Sequence, residues 1–292
     1  MNKPLIVIVG PTASGKSSLA LDIAKQFYGE IVSADSWMIR KGVDIGTDKP
    51  NIEQRIDIPH YMVDIIEPDE DYTAAVYKKE AIDIIDGINS RNKLPILVGG
   101  TGLYIDSILY DYSFLPASDP KTRTELSNKS LAELQRMAII KGLPLDSIDE
   151  RNKRRVIRLI ETNGGIANKK KLRKNTLIIG LMPEKNRLEE SIAGRVDTMI
   201  AMGLENETRN LANNYGWQCE ALKGIGYHEW KLYFEGLQTI DDAKQRIIKD
   251  TVLLAKRQVT WFKRNKSIHW FPTPVNYKEI AELVTTYLSK NI

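Results

Sequence analysis

The chain has 292 residues with a net charge of +4, and 42% of its residues are hydrophobic. This composition excludes a disordered chain, which buries too little apolar surface to offset its ordering entropy, and no stretch reaches the ~18 apolar residues of a membrane span. Because Cys219 is the only cysteine and the N-terminus shows no signal peptide, we expect a cytoplasmic monomer without disulfides or a membrane partner.

The N-terminal part of the chain alternates between predicted strands and helices. Short β-branched runs are typical of strands that are buried on both faces of a parallel sheet. Such runs lie at residues 4–10, 30–34, 94–98 and 177–181. Helical spacing of apolar residues predicts helices over 17–28 and 73–89. This alternation indicates an α/β fold with ligands at the carboxyl ends of the strands.

A glycine-rich loop follows the first predicted strand. Residues 10–17 read GPTASGKS and match G-x-x-x-x-G-K-[ST] between a strand and a helix. In such a loop the N–H groups of residues 12–16 converge on phosphate oxygens, the lysine adds charge, and the serine hydroxyl binds Mg²⁺. The motif leaves open whether the ligand is a nucleotide, such as ATP, or another diphosphate. The expected contacts are Gly10, Pro11, Thr12, Ala13, Ser14, Gly15, Lys16 and Ser17, the last also binding the metal.

Two polar residues follow predicted strands. Asp35 comes directly after residues 30–34, so its carboxylate is expected in the crevice of the phosphate loop, where it can accept a proton from a nucleophile. A helix cap or a water-mediated Mg²⁺ contact is the alternative role. Thr101 follows Gly99-Gly100, which lets the backbone approach a ligand but is equally typical of a tight turn. These features alone favour a small-molecule kinase.

Residues 113–176 are predicted to form a helical insertion, because they show no strand pattern. A capping box at Ser130 and Glu133 begins one of its helices. The insertion divides the core into residues 1–112 and 177–292, the second of which is mostly helical after its first strand. The prediction is therefore an α/β protein with a parallel sheet core like that of P-loop nucleoside triphosphate hydrolases, a helical insertion and a helical C-terminal region.

Two stretches concentrate the positive charge. Residues 151–174 carry a net charge of +9 and residues 244–266 a net charge of +7. Helices are predicted over 150–162 and 241–266. The first would place on one face Arg151, Arg155 and Arg158. Such stretches favour a polyanionic partner, since each phosphate contact releases counterions, although solvated helix faces produce the same pattern.

Motifs along nearly the whole chain resemble those of the tRNA dimethylallyltransferases, also called tRNA isopentenyltransferases. They are GPTASGKSSLA from Gly10, SADS from Ser33, DIGTDKP from Asp44, PHYMVDI from Pro59, YTAA from Tyr72, PILVGGTGLYI from Pro95, KRRVIR from Lys153, GIGYHE from Gly224 and AKRQVTWF from Ala255. The resemblance implies transfer of a dimethylallyl group from dimethylallyl diphosphate to N6 of adenine 37, next to the anticodon, in tRNAs that read codons starting with U.

The resemblance also implies roles for individual residues. Asp35 would be the general base on the adenine amino group, with Lys16 and Thr101 as further catalytic residues and Mg²⁺ as cofactor. Arg123 is a candidate for closing the site with its charge. The residues implied in contacts with the tRNA anticodon stem-loop are Asp35, Ser36, Trp37, Met38, Thr101, Arg123, Arg154, Arg155 and Arg158.

Two positions depart from the family pattern. Met38 stands where glutamine is common, and Val252 stands where arginine is frequent. Three alternatives therefore stay open: an adenylate isopentenyltransferase that uses free nucleotide, a P-loop kinase, and a catalytically inactive RNA-binding relative. The basic stretches favour an RNA substrate over the first two of these.

Overall fold

The computed structural model describes residues 3–116, 119–165 and 167–291. The predicted domains also include positions 1, 2, 117, 118, 166 and 292, which lie outside the described residues. The chain divides into two compact units, of which the first combines Met1–Leu109 with Arg173–Ile292 and the second is Tyr110–Leu172. The predicted insertion comprises residues 113–176.

One parallel sheet forms the centre of the first unit. Its strands are β1 (Leu5–Val9), β2 (Gly29–Ser33), β3 (His60–Tyr61), β4 (Leu94–Gly99), β5 (Thr176–Met182) and β6 (Ile268–Pro272). Among the described residues they follow the order β3-β2-β4-β1-β5-β6, and Val7 of β1 pairs with Leu97 on one side and Ile178 on the other. The predicted α/β fold with a parallel sheet is confirmed.

Helices connect and follow these strands. They are α1 (Lys16–Phe27), α2 (Ile52–Asp57), α3 (Ala74–Ser90), α4 (Gly102–Leu109), α5 (Pro120–Ser127), α6 (Leu131–Ile140), α7 (Lys153–Glu161), α8 (Lys185–Ala201), α9 (Leu204–Tyr215), α10 (Lys231–Phe234), α11 (Ile240–Phe262) and α12 (Tyr277–Asn291). Among the described residues, six of these helices begin at a side chain that accepts a hydrogen bond from an N–H of the first turn, which satisfies a donor that the helix leaves free. These capping residues are Asn51, Thr73, Asp119, Ser130, Asn152 and Thr239.

Both faces of the sheet are buried. Ile6 and Ile8 of β1 belong to an apolar cluster that includes Ile23 of α1 and Ile280 of α12. Val7 lies between them, points to the opposite face and is equally inaccessible to solvent. Coverage on both faces explains why the strands read as continuous apolar runs rather than as alternating patterns.

The second unit has its own apolar cluster. Leu134 and Ala138 of α6 pack there with Val156 and Ile160 of α7. The predicted capping box at the start of α6 is confirmed. Because these helices share one cluster, the unit holds together without residues of the sheet.

One predicted feature of α7 is wrong. Asn152 caps the helix by accepting hydrogen bonds from Arg154 N and Arg155 N, so α7 begins at Lys153. Arg151 therefore lies before the helix, and the predicted face of three arginines lacks its first member.

The region after β5 is helical, as predicted, and has a separate cluster that includes Leu211, Trp230 and Ile247. Helix α11 ends at Phe262 rather than at residue 266, because the chain turns and enters β6 at Ile268. Among the described residues, no helix combines the length and the apolar character that crossing a lipid bilayer requires.

Candidate functional site

The phosphate loop and Asp35 line the same cavity, which has a volume of 550 Å³. The cavity lies at the carboxyl ends of β1, β2 and β4, where the loop, Asp35 and Gly99-Gly100 leave the sheet. This is the edge at which doubly wound sheets bind ligands. Residues from elsewhere in the chain complete the wall, among them Met38, Asp48, Lys49, His60, Arg195 and Gln258.

Backbone conformation shapes the phosphate loop. Gly10 has φ +150°, and a Cβ there would lie 2.7 Å from the carbonyl oxygen of Leu181. Gly15 has φ +84° and precedes α1 without a side-chain cap, so the first N–H groups of the helix stay available to a ligand. The loop thus presents the donors that bind phosphate in this motif.

Thr12 differs from the rest of the predicted phosphate ligands. Its N–H donates to Oε1 of Gln258 at 2.8 Å, and its Oγ1 accepts from Nη1 of Arg195 at 3.1 Å. The backbone N–H that the loop pattern assigns to a phosphate is therefore used within the protein. The donors that remain for a ligand begin at Ala13.

Two cations define the electrostatics of the loop. Lys16 Nζ donates to the carbonyl of Pro11, and Arg195 on α8 reaches Thr12 and the carbonyl of Thr47. Burial lowers the pKa of Lys16 from 10.5 to about 7, and the positive charge of Arg195 adds to this effect while Asp35 opposes it. The negative charge of a bound diphosphate would offset the burial of the Lys16 ammonium and its repulsion by Arg195. The cavity therefore favours a multiply charged anion.

The Asp35 carboxylate caps the turn that follows it. Its Oδ1 accepts the backbone N–H groups of Trp37 at 2.8 Å and Met38 at 3.4 Å. Asp35 thus caps a turn and not a helix, which was the predicted alternative, and it also lies in the cavity wall. The cap holds the carboxylate in one orientation, which a general base requires.

Thr101 supports this turn from the neighbouring strand. Its N–H donates to the carbonyl of Ala34 at 3.1 Å, and its Oγ1 accepts from Ser36 N at 3.0 Å. A Cβ on Gly99 would lie 2.2 Å from Ala34 O, so the close approach of these strand ends requires glycine there. Met38 lines the cavity, whereas Thr101, Ser36 and Trp37 are absent from its wall in the described part of the chain. Their roles as substrate contacts stay predictions.

Lys49 orders the segment between residues 40 and 64. Its ammonium binds Asp44 Oδ1 at 2.5 Å, Asp64 Oδ1 at 2.6 Å and the carbonyl of Arg40 at 2.8 Å. Only 1% of its side chain is exposed, so the lysine acts as an internal ion-pair centre. The DIGTDKP motif contains Lys49, but its spacing alone gives no reason to assign the lysine to a site.

The predicted tRNA contacts of the second unit fall into two groups. Arg123 on α5 and Arg158 on α7 both pair with Glu161, whose side chain is fully buried, and Arg158 also donates to the carbonyl of Leu115 at 2.7 Å. These two arginines therefore stabilise the unit itself. Arg154 and Arg155 are exposed on α7.

The fold and the cavity define a phosphate-loop α/β protein in which a carboxylate and a cationic anion site share one cavity. The model of the IPP transferase family matches residues 38–265, and the chain belongs to this family. This confirms the resemblance that the motifs indicate.

Relatives match over most of their length. The chain is 42% identical to a tRNA dimethylallyltransferase of Pelotomaculum thermopropionicum, covering 92% of this chain and 90% of that protein. Identity to the enzyme of the same name from Staphylococcus haemolyticus is 37%, covering 99% and 93%.

Solved structures agree with the fold. The full-length tRNA isopentenylpyrophosphate transferase of Bacillus halodurans superposes with a TM-score of 0.78 at 32% identity, covering 99% of this chain and 98% of that chain. A eukaryotic dimethylallyltransferase acting on tRNA has a TM-score of 0.86 at 23% identity, covering 100% and 81%. That second match shows a shared fold.

Proposed function

We propose that this protein transfers a dimethylallyl group from dimethylallyl diphosphate to N6 of adenine 37 in tRNAs that read codons starting with U. Membership in the IPP transferase family and the names of the relatives support this reaction. The observation that carries the proposal is the cavity that the phosphate loop and Asp35 both line.

The donor side of the reaction is the phosphate loop. The N–H groups from Ala13 onwards, the Lys16 ammonium and the Arg195 guanidinium would bind the diphosphate. When the allylic C–O bond breaks, its electron pair leaves with the diphosphate, and these fixed donors stabilise the added charge without rearranging. Water would have to reorient to do the same, which is one source of the catalytic advantage.

The acceptor side is Asp35. An exocyclic adenine amine is a weak nucleophile, because its lone pair is delocalised into the ring. As the bond from N6 to the allylic carbon forms, Asp35 accepts a proton from N6, which prevents positive charge from remaining on the amine. The adenine must leave its stack to reach this carboxylate, at a cost of a few kcal/mol that is smallest in a loop.

We also propose Mg²⁺ as the cofactor. Ser17, Asp35 and Asp48 line the cavity and have side-chain oxygen atoms. Hard oxygen ligands together with diphosphate oxygens are what Mg²⁺ prefers. Ser17 would hold the ion against the diphosphate. Bound there, the ion would neutralise charge on the leaving group.

Each of the two compact units has exposed basic residues of its own. In the second unit they include Arg154 and Arg155 on α7, and in the first unit they include Lys249, Lys256 and Arg257 on α11. Their charge would attract the anticodon stem-loop through its phosphates, while unpaired loop bases supply the sequence information.

The decisive experiment combines unmodified tRNA, radiolabelled dimethylallyl diphosphate and Mg²⁺, followed by nucleoside analysis. We expect label in N6-dimethylallyladenosine at position 37 and none when AMP replaces the tRNA. Label on AMP would support the adenylate isopentenyltransferase, and phosphate transfer from ATP would support a kinase. Binding of tRNA without transfer would indicate an inactive relative.

A further inference from the structure

Gln258 on α11 connects two of the strand ends that form the cavity. Its Oε1 accepts from Thr12 N at 2.8 Å, and its Nε2 donates to the carbonyl of Gly100 at 3.1 Å. Thr12 follows β1 and Gly100 follows β4, which are neighbours in the sheet. Because one partner is a donor and the other an acceptor, only one orientation of the side-chain amide satisfies both.

Two side chains of α11 lie close to the backbone of the turn that follows β4. A Cβ on Gly100 would lie 2.2 Å from Nε2 of Gln258, and a Cβ on Gly102 would lie 2.4 Å from Cδ1 of Trp261. Helix α11 thus rests directly on the backbone of the turn at residues 99–102. The missing Cβ lets the Gln258 amide approach Gly100 and the Trp261 ring approach Gly102.

The connection continues to Asp35. Thr101, next to Gly100, donates its N–H to Ala34 O and accepts from Ser36 N, so it holds the two residues that flank Asp35. Hydrogen bonds and short backbone segments therefore run from Thr12 in the phosphate loop, through Gln258, to both neighbours of the carboxylate. This path crosses the ends of β1, β4 and β2.

We propose that Gln258 is a positioning residue that fixes the separation between the phosphate loop and the Asp35 turn. The inference rests on the proposed transfer reaction. The donor and the tRNA each bind on one side of the cavity, whereas transfer requires the reacting atoms to lie within about 3–3.5 Å of each other. Loss of the connection therefore slows transfer more than it weakens binding of either substrate.

The test is the Gln258→Met variant, which keeps the length of the side chain and removes its amide. We expect kcat to fall about 10- to 100-fold, the range expected for a displacement of roughly 1 Å, while the Kd values for dimethylallyl diphosphate and tRNA change less than about threefold. Gln245→Met makes the same change at an exposed position of α11 and should leave kcat unchanged.

A second variant distinguishes a connection between the phosphate loop and the turn after β4 from support of the phosphate loop alone. In Gln258→Glu the carboxylate still accepts from Thr12 N but cannot donate to Gly100 O. We expect kcat at saturating donor to stay as low as in Gln258→Met. Recovery to the wild-type value would mean that only the bond to Thr12 matters, which contradicts the proposed connection.

Gly100→Ala disturbs the same connection at its other end, because the added methyl group displaces the Gln258 amide. If both substitutions remove the same connection, the double variant Gln258→Met with Gly100→Ala is no slower than the slower single variant. The comparison remains usable if one single variant is unstable. It is then restricted to two variants that have equal thermal midpoints. Multiplying effects would contradict the proposal.

The proposal and the proposed function fail in different ways. A wild-type protein that transfers no dimethylallyl group overturns both. An active wild-type protein with an equally active Gln258→Met variant overturns the role of Gln258 alone. A Gln258→Met variant with normal kcat and weakened donor binding also overturns it, because the residue would then shape only the phosphate loop.

Discussion

At the scale of the single residue, the Asp35 carboxylate combines two tasks. Its Oδ1 accepts the N–H groups of Trp37 and Met38, and the group also lines the cavity. The cap needs only an acceptor, whereas the proposed role in the transfer reaction needs a base. Substitutions can therefore separate the local structure from the chemistry.

Asp35→Asn is expected to keep the cap through its side-chain oxygen and to lose the base. Single-turnover transfer should slow by about 10²–10⁴-fold, the usual contribution of general base catalysis. Binding of tRNA should stay near the wild-type value, as measured by filter binding, and Asp35→Ala should be equally slow while also losing the cap. Unchanged single-turnover rates would exclude Asp35 as the base.

The Lys16 pKa of about 7 predicts how donor binding depends on pH. Below pH 7 the ammonium is charged before the donor binds, whereas above pH 7 binding must take up a proton. The affinity for dimethylallyl diphosphate should therefore fall as pH rises from 7 to 9, with up to tenfold loss per pH unit. Calorimetry in buffers of different ionisation enthalpy measures the uptake.

Lys16→Met provides the control for this pH dependence. The variant should bind the donor weakly at every pH and show no uptake of a proton on binding. A wild-type affinity that is constant between pH 7 and 9 would mean that Lys16 is already charged in the protein.

The site was predictable where its residues are close in sequence. The phosphate loop and Asp35 each follow one strand, so a local pattern and the rule for strand ends suffice. Arg195 and Gln258 contact Thr12 across 183 and 246 residues of sequence, respectively. No periodicity or spacing connects such positions, because their proximity arises only from the packing of α8 and α11.

At the scale of the element, strands with a strong apolar pattern are predicted correctly, whereas strands with a weak pattern are not predicted. β1, β4 and β5 are mostly apolar and coincide with predicted strands, and β2 is predicted from its short apolar segment Ile31-Val32. In contrast, β3 contains two residues, and β6 reads Ile-His-Trp-Phe-Pro with an exposed histidine. Short or mixed edge strands are defined by the neighbour they pair with, which a local pattern does not show.

The arginines of helix α7 differ in whether other residues hold them. Arg158 is held by Glu161 and the backbone, whereas Arg154 and Arg155 extend into solvent. Arg154→Ala with Arg155→Ala should weaken tRNA binding and reduce the slope of log Kd against log salt by about 1–2, as expected when two phosphate contacts are lost.

Arg136→Ala on α6 is the matched control, since Arg136 is an exposed arginine of the same unit outside the basic stretch. It should leave both affinity and slope unchanged. Equal effects of the two changes would indicate a diffuse attraction to the unit instead of contacts at α7.

At the scale of the whole molecule, charge is distributed unevenly. The net charge of +4 results from two basic stretches and an otherwise acidic chain. Affinity for tRNA should therefore fall at least tenfold between about 50 and 200 mM salt, because several counterions are released on binding. Titration of labelled anticodon stem-loop at several salt concentrations measures this, and a flat response would contradict an RNA surface built from these stretches.

The order of the sheet also has a consequence for how the protein is made. β1 pairs with β5, whose residues follow the entire second unit in the chain. While the ribosome is still translating the codons before Thr176, one edge of Leu5–Val9 has no partner, and its backbone and apolar side chains are open to wrong pairing. We therefore expect the growing polypeptide to be prone to aggregation until that neighbour has emerged from the exit tunnel.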